Sequence, residues 1–193
     1  LIERSILHYE DLRVFEKAYP GVAAEVPVAV GLHTNIWPGA SIGTGAAIGD
    51  HCTLGRNAHI GPGVIVSNGC KIQNGAQLFA GVTLADGVFV GPGAVFTNVR
   101  RPRAFQRGTF ATITVGKGAT IGANATICSG IHIGEYAMVG AGAVLTRSIG
   151  AHQLWAGVPA EYLRHVCACG APLGYDRTRD DTDFQCNACS EAG

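Results

Sequence analysis

A chain of 193 residues is long enough for one domain with a small appendage, and its 14 basic and 14 acidic side chains cancel. That balance leaves no global field for nucleic acid or an anionic membrane surface. No run approaches the ~18 apolar residues of a membrane span, and the start lacks the charged and apolar regions of a signal peptide. Seven cysteines are an odd number, several at apolar repeat positions, so a reduced, cytoplasmic protein is expected.

The first 29 residues differ in pattern from the rest of the chain. Ile2, Ile6, Tyr9, Leu12 and Phe15 fall near helical spacing, and Pro20-Gly21 ends the segment. The expectation is a helix that covers the open end of the next element against edge-to-edge stacking, followed by an irregular lead-in over 20–29.

From residue 30 to 149 the chain is periodic. Val30, Ile36, Ile42, Ile48, Leu54, Ile60, Val66, Ile72, Leu78, Leu84, Val90 and Phe96 recur every sixth residue. After one insertion the register resumes at Val115, Ile121, Ile127, Ile133, Val139 and Leu145. Two residues before each sits a smaller apolar residue, such as Ala40, Ala46, Cys52, Ala58, Val64 or Cys70, on the same face of a short strand. Three residues after each comes a turn residue: Gly39, Gly45, His51, Asn57, Gly63. Such a hexapeptide period marks a parallel β-helix, an all-β fold in which three bends close a triangular coil of about 18 residues. Eighteen blocks predict about six coils. A disordered glycine-rich tract would not keep the apolar register.

The position after the large aliphatic is usually glycine, but it becomes Ser67, Gln73, Phe79, Ala85 and Thr97, and the next gains Asn68, Asn74, Asp86 and Asn98. Their clustering around the insertion predicts a site on one outer face. The insertion, 99–112, must leave the prism as a loop. It carries Arg100, Arg101, Arg103 and Arg107, and no acid occurs between Gly87 and Gly134. Unopposed guanidiniums suit a phosphorylated ligand, since arginine matches phosphate with paired donors.

A C-terminal extension over 150–166 comes next, with Trp155 expected to pack on the prism. In the tail, 167–193, Cys167 and Cys169 precede Cys186 and Cys189 at a spacing that brings four thiolates together as a zinc ribbon does. Structural zinc is the reading taken; unmetallated thiols or a redox pair stay open.

These residues resemble the hexapeptide left-handed β-helix acyltransferases. Gly69-Cys-Lys-Ile-Gln-Asn74, Gly81 to Phe89, Val95-Phe-Thr-Asn98, Lys117 to Ile127 and Ala156-Gly-Val-Pro-Ala160 look like the nucleotide-sugar 3-N-acetyltransferases among them. That subfamily acetylates UDP-2-acetamido-3-amino-2,3-dideoxyglucuronate or dTDP-3-amino-3,6-dideoxyhexoses. The resemblance implies a left-handed coil, a homotrimer with sites between neighbouring prisms, and acetyl-CoA as donor. It places Asn98, as the catalytic residue, and Arg107 in the active site and matches Gln73 and Asn74 to the sugar-side motif; Asp86 from the polar cluster and Arg103 from the insertion are expected to bind the nucleotide sugar with them. Lys117, Gly122, Ala123 and Gly140 are expected to meet acetyl-CoA. The chain departs from the family pattern at Gly75, Phe79, Ala80 and Glu161.

The expected chemistry is direct acyl transfer to the sugar amine. His51, His59 and His132 sit at turn or pre-aliphatic positions, so a substrate-assisted reaction with Asn98 orienting the amine is favoured. An O-acetyltransferase of the same fold and a non-catalytic scaffold with a zinc tail remain open. A γ-type carbonic anhydrase would need a histidine pair five residues apart, which the repeat lacks.

Overall fold

In the computed structural model the described residues are 7–105, 109–173 and 186–190. Short strands of two or three residues alternate with four-residue corners and wind into a triangular prism with seven-, eight- and seven-stranded sheets as its faces. The first face stacks Val28–Val30, Ala47–Ile48, Ile65–Val66, Val82–Leu84, Ile113–Val115 and His132–Ile133. The second stacks Asn35–Ile36, Thr53–Leu54, Lys71–Ile72, Phe89–Val90, Thr120–Ile121, Met138–Val139 and Gln153–Ala156. The third runs from Ala23–Ala24 through Ser41–Ile42, His59–Ile60, Gln77–Leu78, Val95–Phe96 and Thr126–Ile127 to Val144–Leu145. All these pairings are parallel and join residues one coil apart, as Thr53 with Lys71 and Lys71 with Phe89. The architecture is the expected all-β solenoid, and it is consistent with a left-handed β-helix.

The interior obeys the six-residue code. Leu54, Ile60, Ile72, Leu78, Leu84, Val90, Phe96, Ile121 and Ile127 are fully buried, and so are the small partners Ala58, Ala76, Ala94, Cys52 and Cys70. One large and one small residue per corner fill a narrow prism at native density. Burial of each large aliphatic contributes about 1.5–3 kcal/mol. His51 and Asn57 adopt φ of 56° at the bends, as their turn positions require.

Two ends differ from the sequence reading. Leu7–Tyr9 is a strand, antiparallel to Val28–Val30, and the helix is confined to Leu12–Ala18. Asp11 caps that helix by accepting the Arg13 N–H at 2.8 Å. Buried Phe15 packs edge-on against Tyr9 at 5.2 Å. Ile2 and Ile6 lie outside the described residues. The lead-in is also not irregular, because Ala23 and Ala24 pair with Ser41 and Ile42 and open the third face one block before Val30. At the other end Ile149 bridges Ile133, and Gln153–Ala156 extends the second face beyond the six coils expected. Glu161–His165 closes that face as an antiparallel hairpin partner.

Candidate functional site

The insertion leaves the edge between the third and first faces. Strand Val95–Phe96 ends, the Thr97 hydroxyl donates to the Ile127 carbonyl at 3.2 Å, and the Asn98 carbonyl accepts the Ala111 N–H at 2.8 Å. That last bond pinches the loop shut at its base. The half-buried Asn98 side chain has no hydrogen-bond partner among the described residues. An amide at a loop base whose donor and acceptor are both unused among the described residues is available to a ligand.

Arg100, Arg101 and Arg103 are exposed, and none of them is ion-paired among the described residues. Arg103 donates to the Pro102 carbonyl at 3.0 Å. Arg107 lies outside the described residues. Beneath the loop is a groove of about 390 Å³ bordered by Thr97, Arg100, Ala111, Cys128, Ile131 and Arg147. The Arg147 guanidinium also stands 5.9 Å over the ring of half-buried Trp155, which packs on the prism as expected. Two guanidiniums on one open groove, with no carboxylate among its lining residues, favour an anionic ligand.

The structure does not gather the other expected residues on that edge. The single outer face read from the sequence is in fact three edges. Gln73 and Asn74 lie between the second and third faces, and Gly122, Ala123 and Gly140 stack above them on later coils of the same edge. Asp86 and Lys117 lie between the first and second faces, Lys117 one coil above Asp86 and exposed.

Several of these side chains also have structural work. On the first–second edge, Asp50 Oδ1 accepts the Leu32 N–H at 2.8 Å, Asn68 Oδ1 accepts the Asp50 N–H at 2.9 Å, and Asp86 Oδ1 accepts the Asn68 N–H at 2.9 Å. Asn74 Oδ1 does the same for the Arg56 N–H at 2.8 Å on its own edge. Each caps a corner N–H one coil below that the ladder leaves over. The glycines answer to space: a Cβ on Gly122 would collide with the Ala141 backbone, and one on Gly140 would come within 2.7 Å of the Ala156 Cβ.

His132 is the residue that sequence reasoning passed over. It sits exposed on the first face, one coil above the loop's return strand, with Nδ1 2.8 Å from the Thr114 hydroxyl. Ser148, which borders the groove, accepts the His132 N–H at 2.9 Å. A sequence signal exists for it, since Thr114 and His132 are 18 residues apart and so one coil apart.

The four tail cysteines converge, with every Sγ within 4.8 Å of the others. The Ala171 N–H draws the Cys169 thiol down to about 7, and its contact with Cys169 pushes Cys189 up to about 12.

Residues 112–147 match the family of bacterial transferase hexapeptides (six repeats), and residues 45–80 match the hexapeptide repeat of succinyl-transferase. Over 67 residues the chain is 49% identical to a dTDP-3-amino-3,6-dideoxy-alpha-D-galactopyranose 3-N-acetyltransferase from Aneurinibacillus thermoaerophilus, a stretch covering 35% of each protein. Over 79 residues it is 34% identical to a 2,3,4,5-tetrahydropyridine-2,6-dicarboxylate N-acetyltransferase from Staphylococcus aureus, covering 41% of this chain and 31% of that one. The chain thus spans about a third of the length of the curated relatives it matches. Among solved structures, an N-acyltransferase from Bacillus cereus, in complex with dTDP-4-amino-4,6-dideoxyglucose and coenzyme A, superposes with a TM-score of 0.52 at 18% identity. That superposition covers 84% of this chain and 91% of the other, and it speaks to the fold.

Proposed function

We propose that this chain, two stretches of which match hexapeptide-repeat transferase families, transfers an acetyl group from acetyl-CoA to the 3-amino group of a nucleotide-linked amino sugar. The observation that carries this reading is the Asn98 amide, without a partner among the described residues, at the base of a loop whose Arg100 lines an open groove together with Arg147. An amide that can accept from an amine and donate to an oxygen, beside guanidiniums for phosphate, suits an amine on a phosphorylated carrier. The likeness to a sugar 3-N-acetyltransferase supports the same acceptor.

In the proposed reaction the neutral amine attacks the thioester carbonyl carbon. The C–N bond forms, the C–S bond breaks, and the CoA thiolate takes the proton that the new ammonium gives up. Asn98 orients the amine, and Arg103 and Arg107 hold phosphate or carboxylate. Lys117 reaches the coenzyme, whose chain runs over the bare corners at Gly122, Ala123 and Gly140. Gln73, Asn74 and Asp86 complete the sugar side from other edges, which requires a neighbouring copy of the chain. A homotrimer supplies it, and a reducing cytoplasm suits the seven free thiols.

The test is CoA thiol release with a panel of UDP- and dTDP-3-amino sugars, with tetrahydropyridine dicarboxylate as the contrasting acceptor. Wild type should respond to one nucleotide series. Asn98→Ala should lose about 10²–10³ in kcat with an unchanged circular dichroism spectrum. His132→Ala should keep most activity; a loss of about 10² or more, with the acid limb of the pH–rate profile gone, would make His132 the general base instead. Release with no sugar in the panel would sink the acceptor class.

A further inference from the structure

We propose that the tail holds one structural Zn²⁺ on Cys167, Cys169, Cys186 and Cys189, clamping the chain after the last hairpin onto the end of the prism. The site stands apart from the proposed acetyl transfer and rests first on distances. A tetrahedral site with Zn–S bonds of about 2.3 Å places its sulfurs about 3.8 Å apart. Cys167 and Cys189 Sγ are 3.7 Å apart, Cys169 and Cys186 Sγ are 3.6 Å apart, and all four lie within 4.8 Å of one another. A disulfide would bring a pair to about 2.05 Å, so neither pair is bonded. Each short contact joins one cysteine of the first pair to one of the second, which a central ion explains and local chain geometry does not.

The backbone is shaped to match. Cys167 and Cys169 flank a turn in which Gly170 donates to the Cys167 carbonyl at 2.8 Å, with Gly170 at φ of 87°. The Cys189 N–H donates to the Cys186 carbonyl at 3.1 Å, so the second pair also sits on a tight turn.

The first turn is fastened to the prism. Cys167 N–H donates to the Ala171 carbonyl at 2.9 Å, Leu173 N–H donates to the His165 carbonyl at 3.0 Å, and Val166 bridges Pro172. The second pair frames a helical turn of four residues, Asn187–Ser190, far too short to hold itself in water. Two bonds, from Cys186 and Cys189, to an ion also held by Cys167 and Cys169 give that turn a fixed position. Because all four ligands are thiolates, no coordination position is open for water or substrate, so the ion is structural.

The test uses the full chain purified without chelator. We expect about one zinc per chain by elemental analysis, and mercurial titration should release it as four thiols react. Cobalt substitution should give the spectrum of tetrahedral thiolate coordination. Cys186→Ser with Cys189→Ser should abolish the metal, whereas Cys128→Ser should retain it. The mercurial titration on wild type decides the matter even where the double variant fails to fold. Protein with zinc well below stoichiometry and a Cys167–Cys189 or Cys169–Cys186 disulfide in non-reducing mass spectrometry would overturn the proposal for a redox pair. Retention of zinc in the double variant would overturn the ligand set.

Discussion

Asp86 shows how one side chain can satisfy two readings at once. In sequence it belongs to the cluster of polar corner residues near the insertion, and that reads as ligand chemistry. In the fold its Oδ1 accepts the Asn68 N–H at 2.9 Å and continues a ladder from Leu32 through Asp50. Asp, Asn and Ser are chosen both for ligands and for leftover backbone donors, so residue type alone does not separate the two. Asp86→Ala should therefore destabilise the prism by about 1–3 kcal/mol, since the half-buried Asn68 N–H loses its acceptor, while Asp86→Asn should recover most of it. Denaturant midpoints of the three proteins check this. Equal loss in both variants would point to the charge and not the hydrogen bond. Asn98 was legible for a different reason: it stands at the base of an insertion, and the structure leaves its amide without a partner among the described residues.

At the scale of elements, the repeat could be read and the ends could not. Eighteen blocks repeat one rule, so any single block is confirmed by its neighbours. The block at Ala23–Ala24 has a small residue where others have a large aliphatic, and only its pairing with Ser41–Ile42 identifies it as a coil. Tyr9 matched a helical spacing but pairs with Val28, because the open edge of the first strand offers hydrogen bonds that local periodicity does not register. That end of the prism carries a titration signature. Burial pushes the Tyr19 hydroxyl from 10.0 up to about 12, and neighbouring Tyr9 adds to the shift. A phenol whose folded pKa is raised contributes stability that is whole below pH 10 and is lost as pH rises through 12. The N-terminal element should thus loosen between pH 10 and 12, seen as early amide exchange around Leu12–Ala18, with the loss reduced in Tyr19→Phe. An identical loss in that variant would place the sensitivity elsewhere.

For the whole molecule, the distribution of residues over three edges bears directly on assembly. Asn98 leaves one edge of the prism, Gln73 and Asn74 mark a second, and Asp86 with Lys117 a third. A rigid prism cannot fold these edges toward one another. Only a second prism laid against the first can bring one chain's loop to another chain's corner. In the proposed assembly the loop would supply the apolar surface for that contact, with Phe105 82% and Phe110 62% exposed. Two large aromatics on one cation-rich loop are a costly surface to leave in water, and burying each contributes about 1.5–3 kcal/mol. The protein should accordingly run in light scattering at three times its 19.9 kDa chain mass. Phe105→Ser with Phe110→Ser should weaken the assembly and lower acetyl transfer in parallel, while the β-sheet signal of the prism stays intact. If the variant dissociates yet keeps its rate per chain, one prism suffices for the chemistry. The residues on the other two edges would then serve the coil and not the substrate.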